Sequence, residues 1–338
     1  MNLIKKGLLL ASIALMAACE NEVEINADFV EKTAVFGLLD VNADTQFIKI
    51  NKTFLDDNTS SLELAKDPSR LFYDTTQLSV VLIEKLTNKN ITLKPILKPK
   101  ESGIFTNEVN IVYFSTEKLL SNETYDLVIT KPDGSQTKGS AKTVDGIRIN
   151  KPRPDLDFSF IKKNNINPIV DDYQFELNTG LNGNNIAEIE LRFNFYFKEI
   201  VSGIDSVQKV VSFPLRRLFN NNLQSNEVLT FKFDGQRFFN ELEKQVPPSI
   251  NPTKKVISRK NSVEIEIYAA DETYGFYREL NGPIDGLAQT RPEFTNIENG
   301  IGLFSSRYSG ISTASFNEEM RNYLIETYRS NRNFVTGN

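Results

Sequence analysis

The sequence predicts a mainly β protein, in which an N-terminal immunoglobulin-like β-sandwich is followed by a larger β-rich domain with a few helices. Three observations carry this prediction. Short β-branched and aromatic runs recur between residues 33 and 148, a proline-containing stretch follows at 149–155, and the later strands alternate strictly between apolar and polar residues. The composition, with 40% apolar and 25% charged residues, is typical of a folded globular chain.

Residues 1–18 have the layout of a signal peptide: Lys5 and Lys6 precede an apolar run that ends in small residues. The run is shorter than the about 20 residues of a membrane-spanning helix. The only cysteine, Cys19, comes next. The residues before it, Leu-Met-Ala-Ala, resemble a bacterial lipobox, although Met16 departs from the usual leucine. This resemblance implies that Cys19 carries acyl chains such as palmitate; the alternative is an ordinary signal peptide that contains a cysteine.

Residues 19–32 are expected to form an acidic tether, and residues 33–148 the sandwich domain. Pro132, Asp133 and Gly134 predict a tight turn, because proline presets φ and glycine accepts a positive φ. The Cys…Trp…Cys pattern of true immunoglobulin domains is absent, so the prediction concerns architecture only. The predicted strands cover residues 34–39, 46–54, 78–84, 91–97, 109–114, 125–130 and 140–144.

Residues 149–155 are predicted to be a linker, 156–330 a β-rich domain with helices, and 331–338 a polar tail. The strands of the second domain are expected at 189–197, 228–233 and 263–268, all with two distinct faces. Asp234 is expected to cap a helix over 236–245, and Asp271 a shorter helix that ends near Gly282. Asn299 and Gly300 predict a hairpin that joins 294–297 to 301–304, and the last helix is expected over 317–328.

The composition excludes several kinds of chemistry. The chain has no histidine, so it has no Ser-His-Asp triad and no imidazole ligand for zinc. If Cys19 is acylated, no free thiol or disulfide remains. The net charge of −5 argues against nucleic acid as a partner. We therefore expect a protein without cofactor or metal that is not an enzyme, although glycosidase chemistry with two carboxylates stays open.

Several short motifs are candidate sites. Residues 40–44 resemble the start of a calcium loop, but Thr45 and Asn51 replace the glycine and glutamate that such a loop needs, so a turn is favoured. The acidic pairs at 56–57 and 171–172 also favour turns. Tyr274, Phe276 and Tyr277 are the candidate partner or ligand surface; the alternative is that they pack in the core, as aromatic residues at helical spacing more often do.

The stretch from Thr295 to Arg307, Thr-Asn-Ile-Glu-Asn-Gly-Ile-Gly-Leu-Phe-Ser-Ser-Arg, resembles a motif of uncharacterised outer-membrane lipoproteins of Bacteroidota. The order of parts, signal peptide, lipid cysteine, immunoglobulin-like domain and closing motif, is also similar. The resemblance implies an outer-membrane protein that is anchored through Cys19 and faces the cell exterior, with the periplasmic face as the alternative.

The function expected from anchor and architecture is that of a non-enzymatic binding or accessory subunit for an outer-membrane transporter or assembly complex. Attachment raises the effective concentration near a membrane partner, so a modest interface suffices. The alternative is a surface glycan-binding protein or a carboxylate-dependent glycosidase.

Overall fold

The computed structural model describes residues 29–336, except 57–58, 102, 104, 106–108, 145, 155, 165–166, 182–184, 202–205, 220–222, 249–252 and 282–292. The predicted signal peptide, Cys19 and most of the acidic tether lie outside the described residues. None of the described helices is long and apolar enough to span a membrane.

The N-terminal part is a two-sheet sandwich with the strand arrangement of an immunoglobulin-like fold. One sheet has the order β1-β2-β6-β5 and the other β4-β3-β7-β8, so the sheet membership corresponds to A-B-E-D and C′-C-F-G. The predicted mainly β fold is thereby confirmed. Two single-turn helices, α1 (Ser61–Leu64) and α2 (Pro68–Leu71), follow the second strand. The strands are β1 (Thr33–Leu39), β2 (Gln46–Lys52), β3 (Ser79–Glu84), β4 (Asn90–Thr92), β5 (Lys94–Leu97), β6 (Ile111–Ser115), β7 (Thr124–Thr130) and β8 (Gln136–Lys142).

Tyr125 ties the start of β7 to the chain that precedes it. It lies at the start of β7, is fully buried, and its hydroxyl accepts a hydrogen bond of 2.8 Å from the backbone N–H of Leu120. A tyrosine in this position that bonds to the chain a few residues upstream is a hallmark of immunoglobulin-like sandwiches. The alternating buried and half-buried pattern of β7 places Leu127 and Ile129 in the same core.

The C-terminal part is built around the long strands β14, β18 and β19. A continuous sheet has the order β20-β17-β14-β18-β19, and β15 pairs with the other side of β14. A second sheet contains β16, β13 and β9, and β11 and β12 form a ribbon. The strands are β9 (Arg148–Lys151), β10 (Asp157–Phe158), β11 (Ile161–Asn164), β12 (Asn167–Val170), β13 (Tyr173–Asn178), β14 (Glu188–Ile200), β15 (Val207–Phe219), β16 (Val228–Phe233), β17 (Lys254–Ile257), β18 (Val263–Ala270), β19 (Gly300–Phe316) and β20 (Phe334–Thr336).

Three helices complete the C-terminal part: α3 (Gly235–Gln245), α4 (Glu272–Leu280) and α5 (Glu318–Arg332). The predicted caps are present, since Asp234 accepts from the backbone of Gln236 and Asp271 from that of Tyr274. The core between the sheets and these helices is rich in phenylalanine. Phe160, Phe193, Phe238 and Phe316 are fully buried and contact one another at ring-centroid distances of 5.1 to 6.4 Å.

Strand β19 joins the two parts. Its first residues pair in parallel with β1, with Gly300 opposite Thr33, and its later residues pair antiparallel with β18. One eleven-stranded sheet therefore runs from the sandwich into the C-terminal part, while each part keeps its own hydrophobic core.

The predicted linker and the predicted polar tail both contain regular structure. Residues 148–151 form β9, and Phe334 of the predicted polar tail is fully buried in β20, which pairs in parallel with β17.

The predicted hairpin at Asn299 is wrong. Asn299 does have a positive φ of 54°, but residues 294–297 form no strand. Instead, the side-chain amide of Asn296 takes the place of a neighbouring strand: it accepts from the N–H of Phe304 at 2.9 Å and donates to its carbonyl at 2.6 Å. Glu298 then bridges to Lys138 of β8. The motif at 295–307 thus connects both sheets of the sandwich.

Candidate functional site

Helix α4 is the element that positions the candidate residues. Its N-cap, Asp271, accepts hydrogen bonds from the hydroxyl of Ser305 and from the backbone of Ser306 at 3.2 Å and Tyr274 at 2.8 Å. Burial raises the pKa of Asp271 above its ordinary value, and these hydrogen bonds oppose that shift. The cap fixes the helix on β19, so the side chains of α4 have a defined direction.

The three predicted aromatic residues do not form one site. Phe276 contacts Phe294 at a ring-centroid distance of 5.4 Å, whereas Tyr277 lies between Phe294 and Phe36, at 6.4 and 6.2 Å. Tyr274 instead lies under the guanidinium of Arg278, in a charged pocket. Phe276 and Phe36 are 47% and 44% exposed. We call Phe36, Phe276, Tyr277 and Phe294 the aromatic surface.

An apolar groove adjoins the aromatic surface and shares Phe36 with it. The groove has a volume of about 460 Å³ and lies on the outer face of β1 and β2. Two lysines, Lys49 and Lys52, line it, so we call it the lysine groove. Its apolar lining includes Phe105, which is 50% exposed, and Leu71 of α2.

Lys49 is the chemically unusual residue of the groove. Its ammonium donates to the side chain of Asn110 at 2.5 Å and to the carbonyl of Ile111 at 2.9 Å, and it lies 4.5 Å from the ring centre of Phe72. Burial, and next the charge of Lys100, lower the pKa of Lys49 to about 8.

The charged pocket lies where β14, β18 and β19 meet α4, and it has a volume of about 300 Å³. Three arginines line it, and we call it the arginine pocket. Its polar and aromatic lining residues are Glu188, Glu190, Arg192, Tyr268, Tyr274, Arg278 and Arg307.

Ion pairs hold the side chains of the arginine pocket in place. Arg278 lies 3.0 Å from a carboxylate oxygen of Glu188 and 3.7 Å from one of Glu190. Arg192 connects Glu190 at 3.2 Å to Glu266 at 3.6 Å. The third arginine is Arg307, and its Nε lies 3.6 Å from the buried carboxylate of Asp40.

A hydrogen-bonded network continues from the pocket along the same sheet face. Asn194 donates to Glu266 at 2.8 Å and Tyr196 to Glu264 at 2.9 Å. Burial, and then the hydrogen bond to Glu264, raise the pKa of Tyr196 to about 12. The network therefore keeps its tyrosine hydroxyls protonated over a wide pH range.

The described residues of the acidic pairs do not contribute to this site. Asp171 pairs with Lys162, and Asp172 with Lys232 at 2.6 Å. Asp57 lies outside the described residues. Asp40 forms the expected turn, in which the N–H of Asn42 donates to its carboxylate at 3.0 Å. Among the described residues, no cluster of three or more histidine, cysteine, aspartate or glutamate side chains could hold a metal ion.

The arginine pocket was not predicted from the sequence, although part of its signal is visible there. Glu188, Glu190 and Arg192 alternate with apolar residues along β14, which places them on one face of the strand. Only the pairing of β14 with β18 and the position of α4 bring Arg278 and Tyr268 to the same face. Neither this strand pairing nor the position of the helix can be predicted from local periodicity.

Comparisons with known proteins add little. No protein-family model matches the chain, and no curated protein matches it. Among solved structures, it is similar to the C-terminal globular domain of an oligosaccharyltransferase from Pyrococcus abyssi, with 11% identity and a TM-score of 0.23; the match covers 64% of this chain and 43% of that one. It is also similar to a mutant of the CFA/I adhesin CfaE of enterotoxigenic E. coli, with 10% identity, a TM-score of 0.17 and coverage of 85% and 87%. Neither likeness carries a functional argument.

Proposed function

We propose that this chain is a lipid-anchored cell-envelope protein that acts as a non-enzymatic binding subunit for an outer-membrane partner. The anchor is Cys19, because it follows a stretch with the layout of a signal peptide that ends in residues similar to a lipobox. The observation that carries the binding role is the exposed aromatic surface, in which Phe36 and Phe276 stay accessible while Tyr277 and Phe294 bridge them.

Aromatic residues are enriched at the centre of protein interfaces, where a few of them supply most of the binding energy. Here Phe276 and Tyr277 are held on the capped helix α4 and Phe36 on β1, so little side-chain entropy of these three residues would be lost on binding. The lysine groove beside them has an apolar floor and two lysine side chains at its wall, which suits a partner segment with an apolar side chain next to an acidic one.

The carboxylates of the arginine pocket do not favour the hydrolytic alternative. Glu188 and Glu190 both lie against Arg278, and Glu190 also lies against Arg192. Both carboxylates are therefore engaged side by side in ion pairs with arginines, whereas a glycosidase needs two carboxyl groups that face each other across the bond to be cleaved.

The proposal is tested by gentle detergent extraction of the tagged full chain from its native membranes. Cys19→Ala should remove acyl labelling and release the protein from the membrane. Phe36→Ser with Phe276→Ser should keep the label and the membrane location but lose the co-purified partner. Val228→Ser, at an apolar position on β16 that is also exposed, is the control. Partner recovery that is unchanged by the aromatic substitutions would refute the binding role, and absence of acyl label on the native chain would refute the anchor.

A further inference from the structure

The arginine pocket presents hydrogen-bond donors and acceptors side by side around one cavity. Guanidinium groups are donors only, and ionised carboxylates are acceptors only. In the pocket they alternate, since Arg278 lies against Glu188 and Glu190, and Arg192 lies against Glu190 in turn. A ligand that satisfies both kinds of group must itself donate and accept.

The pocket is built from restrained side chains. The side chain of Glu188 is 2% exposed, and its charge is compensated by Arg278 at 3.0 Å. Arg192 and Arg307 are 42% and 48% exposed, so the pocket is open to solvent on their side. The ion pairs fix the arginines before a ligand arrives, which lowers the entropic cost of binding.

Charge selects against ions of either sign. Each of the three arginines already lies against a carboxylate, so the pocket offers no excess charge to an anion or a cation. Hydroxyls suit both the guanidinium donors and the carboxylate acceptors, because each hydroxyl donates once and accepts twice. Two tyrosine rings complete the wall: Tyr268 lies 5.5 Å from the guanidinium carbon of Arg192, and Tyr274 5.8 Å from that of Arg278. Such rings offer flat apolar faces to the C–H groups of a ligand.

We infer that the arginine pocket binds an uncharged, hydroxyl-rich ring, the chemistry of a neutral sugar residue. The volume of about 300 Å³ lies at the lower end of the range of small-molecule sites and suits one or two rings. The open side at Arg192 and Arg307 leaves room for the ring to be the end of a longer glycan. This site is separate from the aromatic surface, because Tyr274 lines the pocket, whereas Phe276 contacts Phe294.

The test is saturation-transfer NMR on the soluble chain that begins after Cys19. The neutral probes are glucose, galactose, mannose and N-acetylglucosamine, each at up to about 10 mM, the range in which single-ring sugars with millimolar Kd are detected. Glucuronate and methyl phosphate are the anionic probes, and both carry carbon-bound protons that can receive saturation. We expect transfer to at least one neutral sugar and none to methyl phosphate.

Two variants locate the site. Arg307→Gln removes a guanidinium at the open side, and Tyr274→Ala removes a ring but leaves the backbone N–H that caps α4. Each should weaken binding about tenfold, the effect of one lost hydrogen bond to a charged group or of one lost ring contact. Phe276→Ala on the same helix should leave binding unchanged, and circular dichroism shows that each variant is folded.

Three results would overturn the inference: no transfer to any neutral sugar, transfer to the anionic probes alone, or equal binding by the wild type and both pocket variants. Because the aromatic surface is intact in these variants, loss of sugar binding does not affect the partner test above, and loss of the partner does not affect this one.

Discussion

Phe304 lies directly opposite Gly37 in the parallel pair of β19 and β1. A Cβ atom at Gly37 would lie 3.1 Å from Cδ2 of Phe304, and one at Gly139 on β8 would lie 3.0 Å from its Cβ. The fully buried ring therefore fills the space that two glycines leave, one in each sheet of the sandwich. The motif around residue 300 supplies a core side chain to a domain that is more than 150 residues away in the sequence.

Replacement of Phe304 by alanine should strongly destabilise the protein. Two glycines face the ring, so no neighbouring side chain can fill the cavity that its removal would leave. We therefore expect a loss of about 3–5 kcal/mol in the free energy of unfolding. Urea denaturation followed by far-UV circular dichroism measures this value. Phe276→Ala, at a 47% exposed position, should cost less than about 1 kcal/mol. Similar losses for both variants would contradict the packing role.

Gly302→Ala tests the backbone at the same junction. Gly302 has a φ of +111°, and a Cβ atom there would lie 2.1 Å from the carbonyl oxygen of Val35. We expect a loss of at least about 2 kcal/mol, because both the dihedral angle and the contact are unfavourable for a side chain. Gly103→Ala is the matched control, since nothing lies within 4 Å of its Cβ position, and its effect should stay within about 0.5 kcal/mol.

The pairing of β1 with β19 also predicts that the sandwich does not fold by itself. A fragment of residues 29–144 would leave one side of β1 unpaired and would lack Ile297 and Phe304, both buried in the sandwich core. We expect this fragment to be unfolded in the absence of residues 293–307 and to gain β structure when that peptide is added. Proton NMR shift dispersion reports the change. A fragment that folds cooperatively without the peptide would disprove the dependence.

The residues that periodicity could reveal were predicted well. Alternation along residues 263–268 and 189–197 gave the central strands, and capping aspartates gave the starts of α3 and α4. The parallel pairing of β1 with β19 could not be predicted, because it depends on contacts between distant segments. The turn chemistry of Asn299 and Gly300 indicated a local hairpin. In the structure, the side chain of Asn296 instead forms hydrogen bonds with the backbone N–H and carbonyl of Phe304, and contacts between distant segments determine the strand pairing.

Buried tyrosines should make the protein lose stability in alkali. Burial raises the pKa of Tyr113 from 10.0 to about 12, and the same cause raises that of Tyr173 to about 12. Between pH 10 and 12 the native state then holds more protons than the unfolded state, so the free energy of unfolding falls as the pH rises through this window. Urea midpoints across the window measure the slope. Tyr113→Phe should reduce it, and an unchanged slope would show that Tyr113 is not responsible.

Lys49 should have the opposite effect at lower pH. Its pKa is lowered from 10.5 to about 8, mainly by burial beside Phe72 and secondly by Lys100. Between these values the unfolded chain holds a proton that the native chain has released. The native state is therefore favoured more as the pH rises from 8 towards 10.5, and the free energy of unfolding should increase until the tyrosines reverse the trend.

The pH slope separates this effect from the packing of Lys49. Lys49→Met also removes the hydrogen bonds to Asn110 and Ile111, so it should change the stability at every pH, but it should abolish the increase above pH 8. Lys142→Met, at an exposed position on β8, should retain the increase. Urea denaturation of the three proteins between about pH 7 and about pH 9.5 gives the answer. If the increase persists in Lys49→Met, the titration of Lys49 is not its cause.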